Sequence, residues 1–282
     1  MKASTTWLAT TSAEFSAGAG RSGYAHLSHY SVNYQEWGDG PPLVLVPGLA
    51  GGYGLLGPLA RLLSSRFRVI SYQLRGEDDC FALRQRFDLA DLVTDLGEFL
   101  NWHRLERPIL MGVSFGGVLA LEYAARCSHR LEKLIVQGAG ARYEHGLLPR
   151  VASAVLSRFP LPSDNPFINQ FFNLLFGGKQ KPGPLFEFVT QQCWQTDQSV
   201  MAYRLRLLEQ YDLGQGDRVR RIRVPTLVLS GERDLLVSEA SLSELENGLD
   251  EAEVCRLPGC GHLAFITHPQ RVAAEVRRFA ES

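Results

Sequence analysis

Between residues 43 and 137, short apolar runs alternate three times with patterns of helical spacing. The first run, Leu-Val-Leu-Val at residues 43–46, is apolar throughout, which suits a strand that is buried on both faces of a parallel sheet. A helical pattern extends from Leu89 to Leu100 behind Asp88, a residue type that caps helices. Repeated strand–helix–strand units predict an α/β fold with a mostly parallel central sheet and helices on both faces.

The composition of the sequence changes in the segment from residue 140 to residue 221. Aromatic residues accumulate there, and prolines and glycines cut the segment into pieces that predict several short helices rather than strands. Residues 1–23 are rich in Ser, Thr, Ala and Gly and are typical of a flexible leader. We therefore expect one α/β core, formed by residues 24–139 and 222–282, with residues 140–221 inserted between its two parts.

The charge balance and the cysteine count argue against several classes of function. The 29 basic and 30 acidic residues give a net charge of −1, so no strong field favours nucleic acid or an anionic membrane. The five cysteines are odd in number and form no Cys-x-x-Cys pair, which argues against a disulfide framework or a zinc site and fits the cytoplasm. No apolar run reaches the roughly 18 residues that a membrane span needs. We expect no metal, no cofactor, no nucleic-acid partner and no stable membrane insertion.

The five residues Gly112-Val113-Ser114-Phe115-Gly116 match the pattern Gly-x-Ser-x-Gly. In that pattern the serine occupies a sharp, strained turn between a strand and a helix, and the glycines let the two elements approach closely. An apolar, strand-like run precedes the motif and a helical pattern follows it, which is the context that the pattern requires. Since open α/β sheets place their sites at the carboxyl ends of strands, Ser114 is the predicted nucleophile.

A serine hydroxyl is a weak nucleophile and needs a base, which in turn needs a carboxylate to orient it. His262 ends the turn Gly-Cys-Gly-His directly after a strand-like run at residues 252–257. Asp234 follows another strand-like run and lies at the same predicted edge of the sheet, with Glu232 as the rival carboxylate in that loop. The order Ser114, Asp234, His262 is one of the chain orders known for such a site.

An oxyanion that forms during acyl transfer needs backbone N–H donors close to the nucleophile. The first predicted donor is the N–H of Phe115, the residue after the serine. The second belongs to the loop after residues 43–46, where Leu49 is the best candidate and Pro47 has no N–H to donate. We therefore expect Leu49 and Phe115 to hold the oxyanion.

With these residues identified, the chain resembles the α/β-hydrolase fold superfamily over nearly its whole length from about residue 26. It is most similar to the capped single-domain members, which include esterases, lactonases, C–C bond hydrolases and cofactor-free haloperoxidases. Four motifs carry the resemblance: Pro47-Gly48-Leu49, Gly112 to Gly116, Gly231-Glu232-Arg233-Asp234 and Gly259-Cys260-Gly261-His262. Pro47 stands where the family has a histidine, and the segment from Gln73 to Asp78 replaces the usual Asp-x-Arg-Gly-x-Gly. A serine at the elbow argues against the branches that use an aspartate nucleophile.

The resemblance implies that residues 140–221 form a helical cap whose aromatic side chains contribute to an acyl or aryl pocket. We expect a serine hydrolase that cleaves a carboxylic ester or a related acyl bond through an acyl-enzyme on Ser114. Its expected partner is a small-molecule substrate with an apolar acyl or aryl part. Three alternatives remain open on the same residues: cleavage of a carbon–carbon bond beside a ketone, acyl transfer to another acceptor, and ligand binding without catalysis.

Overall fold

One eight-stranded sheet organises the chain, whose structure is a computed structural model. The described residues are 20–77, 86–143, 151, 154–156, 158, 172–178 and 183–282. The strands are β1 (Arg21–His26), β2 (Ser31–Trp37), β3 (Pro42–Val46), β4 (Arg68–Tyr72), β5 (Ile109–Val113), β6 (Lys133–Gln137), β7 (Thr226–Gly231) and β8 (Ala252–Leu257). Their order across the sheet is β1-β2-β4-β3-β5-β6-β7-β8. β3 to β8 are mutually parallel, and β1 and β2 join one edge in antiparallel pairing, so the mostly parallel sheet is confirmed.

Helices cover both faces of this sheet. The α-helices of the described residues are α1 (Gly52–Leu63), α2 (Leu89–Trp102), α3 (Phe115–Cys127), α4 (Pro184–Cys193), α5 (Gln198–Leu208), α6 (Glu239–Gly248), α7 (Ala264–Thr267) and α8 (Pro269–Ala280), of which α4 and α5 belong to the segment between β6 and β7. Because successive side chains of a strand point to opposite faces, Val44 and Val46 pack in one core with α2 and α3. Leu43 and Leu45 of the same strand pack in a second core with α1 and α8. No helix within the described ranges is both long enough and apolar enough to span a membrane.

The start of α2 follows the prediction from sequence. The Asp88 carboxylate accepts a hydrogen bond from the Asp91 N–H at 2.9 Å, and the Asp91 carboxylate accepts one from the Asp88 N–H at 2.8 Å. This reciprocal capping box satisfies two N–H groups that a helix start leaves without intrahelical partners. The apolar stripe behind it is buried against the sheet.

The amino-terminal boundary of the core differs from the prediction. Residues 1–23 were expected to form a flexible leader, but β1 begins at Arg21 and pairs with β2 over its whole length. Only Ala25 of β1 is buried, so this edge strand lacks the apolar alternation by which a strand is recognised in sequence. Backbone pairing, which residue type does not report, holds it in place. Residues 1–19 of the predicted leader lie outside the described residues.

The described part of the predicted insertion, residues 140–221, is mainly helical. It contains α4 and α5, a further helical turn at residues 172–175 and two short 3-10 turns before β7. The β structure described in this segment is an isolated bridge between Arg142 and Asp212. Residues 144–150, 152–153, 157, 159–171 and 179–182 lie outside the described residues. The division of the chain into core and cap therefore stays a prediction.

Candidate active site

The predicted nucleophile occupies a one-residue turn between β5 and α3. Ser114 has φ 53° and ψ −119°, a strained conformation for a non-glycine residue that costs on the order of 1–3 kcal/mol. A Cβ on Gly112 would lie 2.2 Å from the carbonyl oxygen of Gly116, and a Cβ on Gly116 would lie 2.2 Å from that of Val46. Both positions require glycine for this reason, and the close approach of α3 to β5 and β3 holds the turn at the carboxyl edge of the sheet.

The structure brings the three predicted residues of the triad into contact. His262 Nε2 lies 2.7 Å from Ser114 Oγ, and His262 Nδ1 lies 2.9 Å from Asp234 Oδ2. The imidazole is buried, with 4% of the residue exposed. When Nδ1 carries the proton and its N–H donates a hydrogen bond to Asp234, Nε2 is left as an acceptor for the Ser114 hydroxyl. The geometry therefore permits proton transfer from the serine to the histidine.

Asp234 lies three residues after the end of β7 and is held from two sides. Its Oδ1 accepts hydrogen bonds from the N–H groups of Leu236 at 2.8 Å and Val237 at 3.3 Å, while Oδ2 faces His262. Burial by itself raises the pKa of this carboxyl. The charge interaction and hydrogen bond with His262, together with the two N–H donors, outweigh burial and lower the pKa below its ordinary value. Asp234 is accordingly a carboxylate at neutral pH.

Glu232, the alternative carboxylate predicted from sequence, has a different contact. Glu232 is exposed, and its Oε2 accepts a hydrogen bond from the Gly259 N–H at 2.8 Å. Gly259 has φ +73° and forms part of the turn between β8 and His262. Glu232 thus contacts the turn that carries the histidine, whereas Asp234 contacts the imidazole itself.

Gln137, the last residue of β6, is a site residue that sequence reasoning missed. Its backbone oxygen accepts a hydrogen bond from the Ser114 N–H at 2.8 Å. Its side-chain Nε2 donates to the backbone oxygen of His262 at 2.9 Å, and the residue is fully buried. One residue therefore holds the backbones of both Ser114 and His262. The available signal was a polar residue at the carboxyl end of an otherwise apolar strand.

Both predicted oxyanion donors border the same space as the serine. Leu49 and Phe115 line a cavity together with Ser114 and His262. Within the described part of the chain, no protein group accepts a hydrogen bond from the N–H of Leu49 or of Phe115. Phe115 is the first residue of α3, where helical N–H groups lack partners and the helix dipole favours negative charge. These two groups are therefore available to a bound oxyanion.

A family model described as the alpha/beta hydrolase fold matches residues 41–269 of the chain. The chain belongs to the α/β-hydrolase fold family. It is an enzyme of that family, and the alternative of ligand binding without catalysis is set aside.

Relatives of this hydrolase include enzymes with several substrates. The pimeloyl-(acyl-carrier protein) methyl ester esterase of Nitrosospira multiformis is 23% identical over 265 residues, which cover 90% of this hydrolase and 100% of the relative. The enol-lactonase of Burkholderia xenovorans LB400 has a TM-score of 0.82 at 22% identity, covering 92% of this hydrolase and 100% of that chain. The meta-cleavage product hydrolase of Pseudomonas fluorescens IP01 has a TM-score of 0.74 at 21% identity, covering 93% and 98% respectively. The two structural likenesses establish the fold alone.

The cavity beside Ser114 in this hydrolase has a volume of about 150 Å³ and mostly apolar walls. The sheet and its helices contribute Val118, Leu236, Val237, Leu263 and Phe265, and the segment between β6 and β7 contributes Phe172, Leu175, Cys193, Trp194, Met201, Leu205, Leu208 and Tyr211. Of the aromatic residues of the segment 140–221, Tyr143, Phe172, Trp194 and Tyr211 line the cavity. Phe176 packs against Phe186 instead, with 6.1 Å between ring centroids.

Proposed function

We propose that this hydrolase cleaves a carboxylic ester, or a related acyl bond, of a small molecule with an apolar acyl or aryl part. The observation that carries the proposal is the continuous contact from Asp234 through His262 to Ser114, with distances of 2.9 Å and 2.7 Å, at the wall of an apolar cavity. In this proposal Ser114 is the nucleophile, His262 is general base and then general acid, and Asp234 orients the imidazole.

In the first half-reaction, the Ser114 oxygen attacks the carbonyl carbon of the ester while His262 Nε2 takes the hydroxyl proton. The Asp234 carboxylate, kept ionised by its lowered pKa, stabilises the imidazolium that forms. The N–H groups of Leu49 and Phe115 are the proposed donors to the tetrahedral oxyanion. His262 then donates its proton to the departing alkoxide, and the acyl group remains on Ser114.

In the second half-reaction, water replaces the alcohol. His262 takes a proton from that water, and the hydroxide adds to the carbonyl carbon of the acyl-enzyme. The same two N–H donors hold the second oxyanion, and collapse releases the carboxylic acid with return of the proton to Ser114. Acyl transfer would differ only in the acceptor that replaces water.

The lining of the cavity supports an apolar acyl or aryl part. Burial of apolar surface yields roughly 0.8 kcal/mol for each CH₂ group that leaves water. Leu205 and Leu208 of α5 face this space together with Trp194 and Phe172, so an acyl chain or an aromatic ring finds apolar partners on the side away from the sheet. Charged side chains are few among the lining residues, and Arg142 is paired with Glu244.

We also propose the cytoplasm as the compartment of this enzyme. Cys127, Cys193, Cys255 and Cys260 are all free thiols, which a reducing compartment preserves.

The test is hydrolysis of p-nitrophenyl esters from acetate to dodecanoate, together with a lactone and a meta-cleavage diketone. We expect ester turnover with an initial burst of p-nitrophenolate, because acyl-enzyme accumulates when its hydrolysis is slower than its formation. Ser114→Ala should lower kcat/KM by at least about 10⁴-fold. Ser65→Ala, which changes an exposed serine whose hydroxyl bonds Leu62 O, is the matched control. Full ester hydrolysis by Ser114→Ala would refute the proposal, and diketone cleavage without ester hydrolysis would replace it.

A further inference from the structure

Arg204 of α5 is a fully buried cation with bonds to two loops at the carboxyl edge of the sheet. Its guanidinium donates to the carbonyl oxygen of Leu49 at 2.8 Å, to the carbonyl oxygen of Arg75 at 3.0 Å and to Glu77 Oε1 at 2.6 Å. Arg204 has 0% and Glu77 3% of its side chain exposed. Leu49 follows β3, and Arg75 and Glu77 follow β4. One side chain thus joins α5 to both loops.

A contribution to the stability of the fold does not by itself explain the buried ion pair between Arg204 and Glu77. Removing two charges from water costs much of what their attraction returns, and apolar side chains of similar volume are often equally stabilising. The planar guanidinium offers something that apolar side chains lack, namely several N–H donors in fixed directions. Here those donors hold two backbone carbonyls in set orientations.

One of these carbonyls belongs to the residue proposed to donate to the oxyanion. The bond from Arg204 fixes the plane of the peptide between Leu49 and Ala50, and this restricts ψ of Leu49. The next peptide is held from the same inserted segment, because the Gly51 N–H donates to Thr196 Oγ1 at 2.9 Å in a buried contact. Two consecutive peptides after the Leu49 N–H are therefore fixed by residues that lie between β6 and β7.

We propose that Arg204 is a positioning residue for the oxyanion site, which it serves by ordering Leu49 from α5. The inference rests on the proposed serine hydrolysis. It makes the stabilisation of the oxyanion depend on the inserted helices as well as on the sheet. Arg204 touches no reacting atom, so its loss should slow the chemical step while substrate binding in the apolar cavity changes little.

The variants separate positioning from charge burial. Arg204→Met/Glu77→Gln removes the donors without leaving a lone buried carboxylate, and Arg204→Lys keeps the charge while losing the planar fork. Thr196→Val removes the acceptor of the Gly51 N–H at nearly constant shape. Arg206→Met changes an exposed arginine of the same helix and is the matched control.

The activity readout compares an ester with its thionoester, in which sulfur replaces the carbonyl oxygen. Sulfur is a poor acceptor, so the thionoester benefits little from oxyanion donors. For Arg204→Met/Glu77→Gln we expect kcat on the oxygen ester to fall by about 10²-fold, the size of effect that loss of one oxyanion donor has. KM should change less than about 3-fold, and the preference for oxygen over sulfur should fall by nearly the same factor as kcat on the oxygen ester, about 10²-fold. Arg204→Lys should lie between this variant and wild type, and Arg206→Met should match wild type.

A second readout does not depend on turnover. Hydrogen exchange followed by mass spectrometry should show faster exchange for peptides that contain residues 48–52 in Arg204→Met/Glu77→Gln and in Thr196→Val, with unchanged exchange in β5. Equal losses on the oxygen ester and the thionoester, or unchanged exchange at residues 48–52, would overturn the inference. A wild-type enzyme without ester hydrolysis would refute the proposed function instead, and the exchange data would still decide whether Arg204 orders Leu49.

Discussion

Two regions of the molecule meet at the cavity, and their residues are held there in different ways. At the carboxyl edge of the sheet, Ser114, Asp234 and His262 lie on short turns directly after strands and are held by hydrogen bonds to backbone groups. The segment between β6 and β7 faces the cavity with apolar side chains, and Arg204 reaches the edge through hydrogen bonds. The difference teaches that chemistry and substrate choice are separable here. Changes at the edge, or at Arg204 that contacts it, should slow every substrate alike, and changes at the apolar cavity-lining residues of α5 should alter which substrate is preferred.

The largest expected effect concerns Asp234, at the carboxyl edge of the sheet. Asp234→Asn keeps the shape of the side chain but removes the charge that we propose stabilises the imidazolium and selects the imidazole tautomer. We expect kcat/KM to fall by about 10⁴-fold. The fall should be the same for short and long acyl esters, because Asp234 contacts His262 and backbone N–H groups. Steady-state kinetics over a series of chain lengths measure this.

Glu232→Gln is the matched control for Asp234→Asn. It changes the neighbouring carboxylate, which contacts the turn before His262, and should cost less than about 10-fold in kcat/KM. A loss of kcat/KM in Asp234→Asn that varied strongly with acyl chain length would contradict the separation of the chemical step from substrate choice.

A smaller effect is expected at Gln137, also at the edge. Gln137→Leu removes the donor to the His262 carbonyl and leaves the backbone of β6 intact. Since this bond holds the backbone of His262, the proposed base, we expect kcat to fall by about 10- to 100-fold with little change in KM. Stopped-flow measurement of the acylation rate in wild type and in Gln137→Leu tests this prediction most directly.

Ser71→Ala is the control for Gln137→Leu. It removes another buried bond from a side chain to a carbonyl, Ser71 Oγ to Leu45 O at 2.8 Å, between β4 and β3, neither of which leads into a triad residue. It should cost about 1 kcal/mol of unfolding free energy with kcat unchanged. Equal losses of kcat in both variants would show that Gln137 acts only through the stability of the fold.

The smallest expected effect concerns a cavity-lining leucine of α5. Leu205 lines the cavity, so Leu205→Ala should enlarge it and raise kcat/KM for longer acyl chains relative to butyrate by about 10-fold. Leu207 of the same helix packs in the core and is buried to a similar degree, with 7% exposed against 8%. Leu207→Ala should destabilise the fold to a similar extent, about 2–5 kcal/mol, with no change of preference. A changed chain-length preference in Leu207→Ala, with none in Leu205→Ala, would show that residues outside the cavity determine the preference.

The parallel sheet and the positions of Ser114, Asp234 and His262 could be predicted because their signals are local. Each of the three residues follows an apolar run within a few positions, and parallel strands bring their carboxyl ends to one edge. Asp88 could be predicted as a helix cap for the same reason, since its partner Asp91 lies three residues away.

The remaining contacts depend on residues far apart in sequence. Gln137 reaches His262 across 125 residues, and Arg204 reaches Leu49 across 155. No local sequence pattern around Gln137 or Arg204 identifies the residue that it contacts. The first residues of β1 escaped prediction because an edge strand with exposed side chains is defined by backbone pairing with β2. Apolar periodicity reports burial and cannot report that pairing.

The central claim is that Ser114 is a nucleophile activated by His262, and covalent labelling tests it most directly. The purified protein is treated with a fluorophosphonate, and the modified residue is located by peptide mass spectrometry. We predict stoichiometric labelling at Ser114, and labelling at least about 100-fold slower in His262→Ala, because the serine then lacks its base. Labelling confined to another residue, or equal rates in the two proteins, would contradict the account.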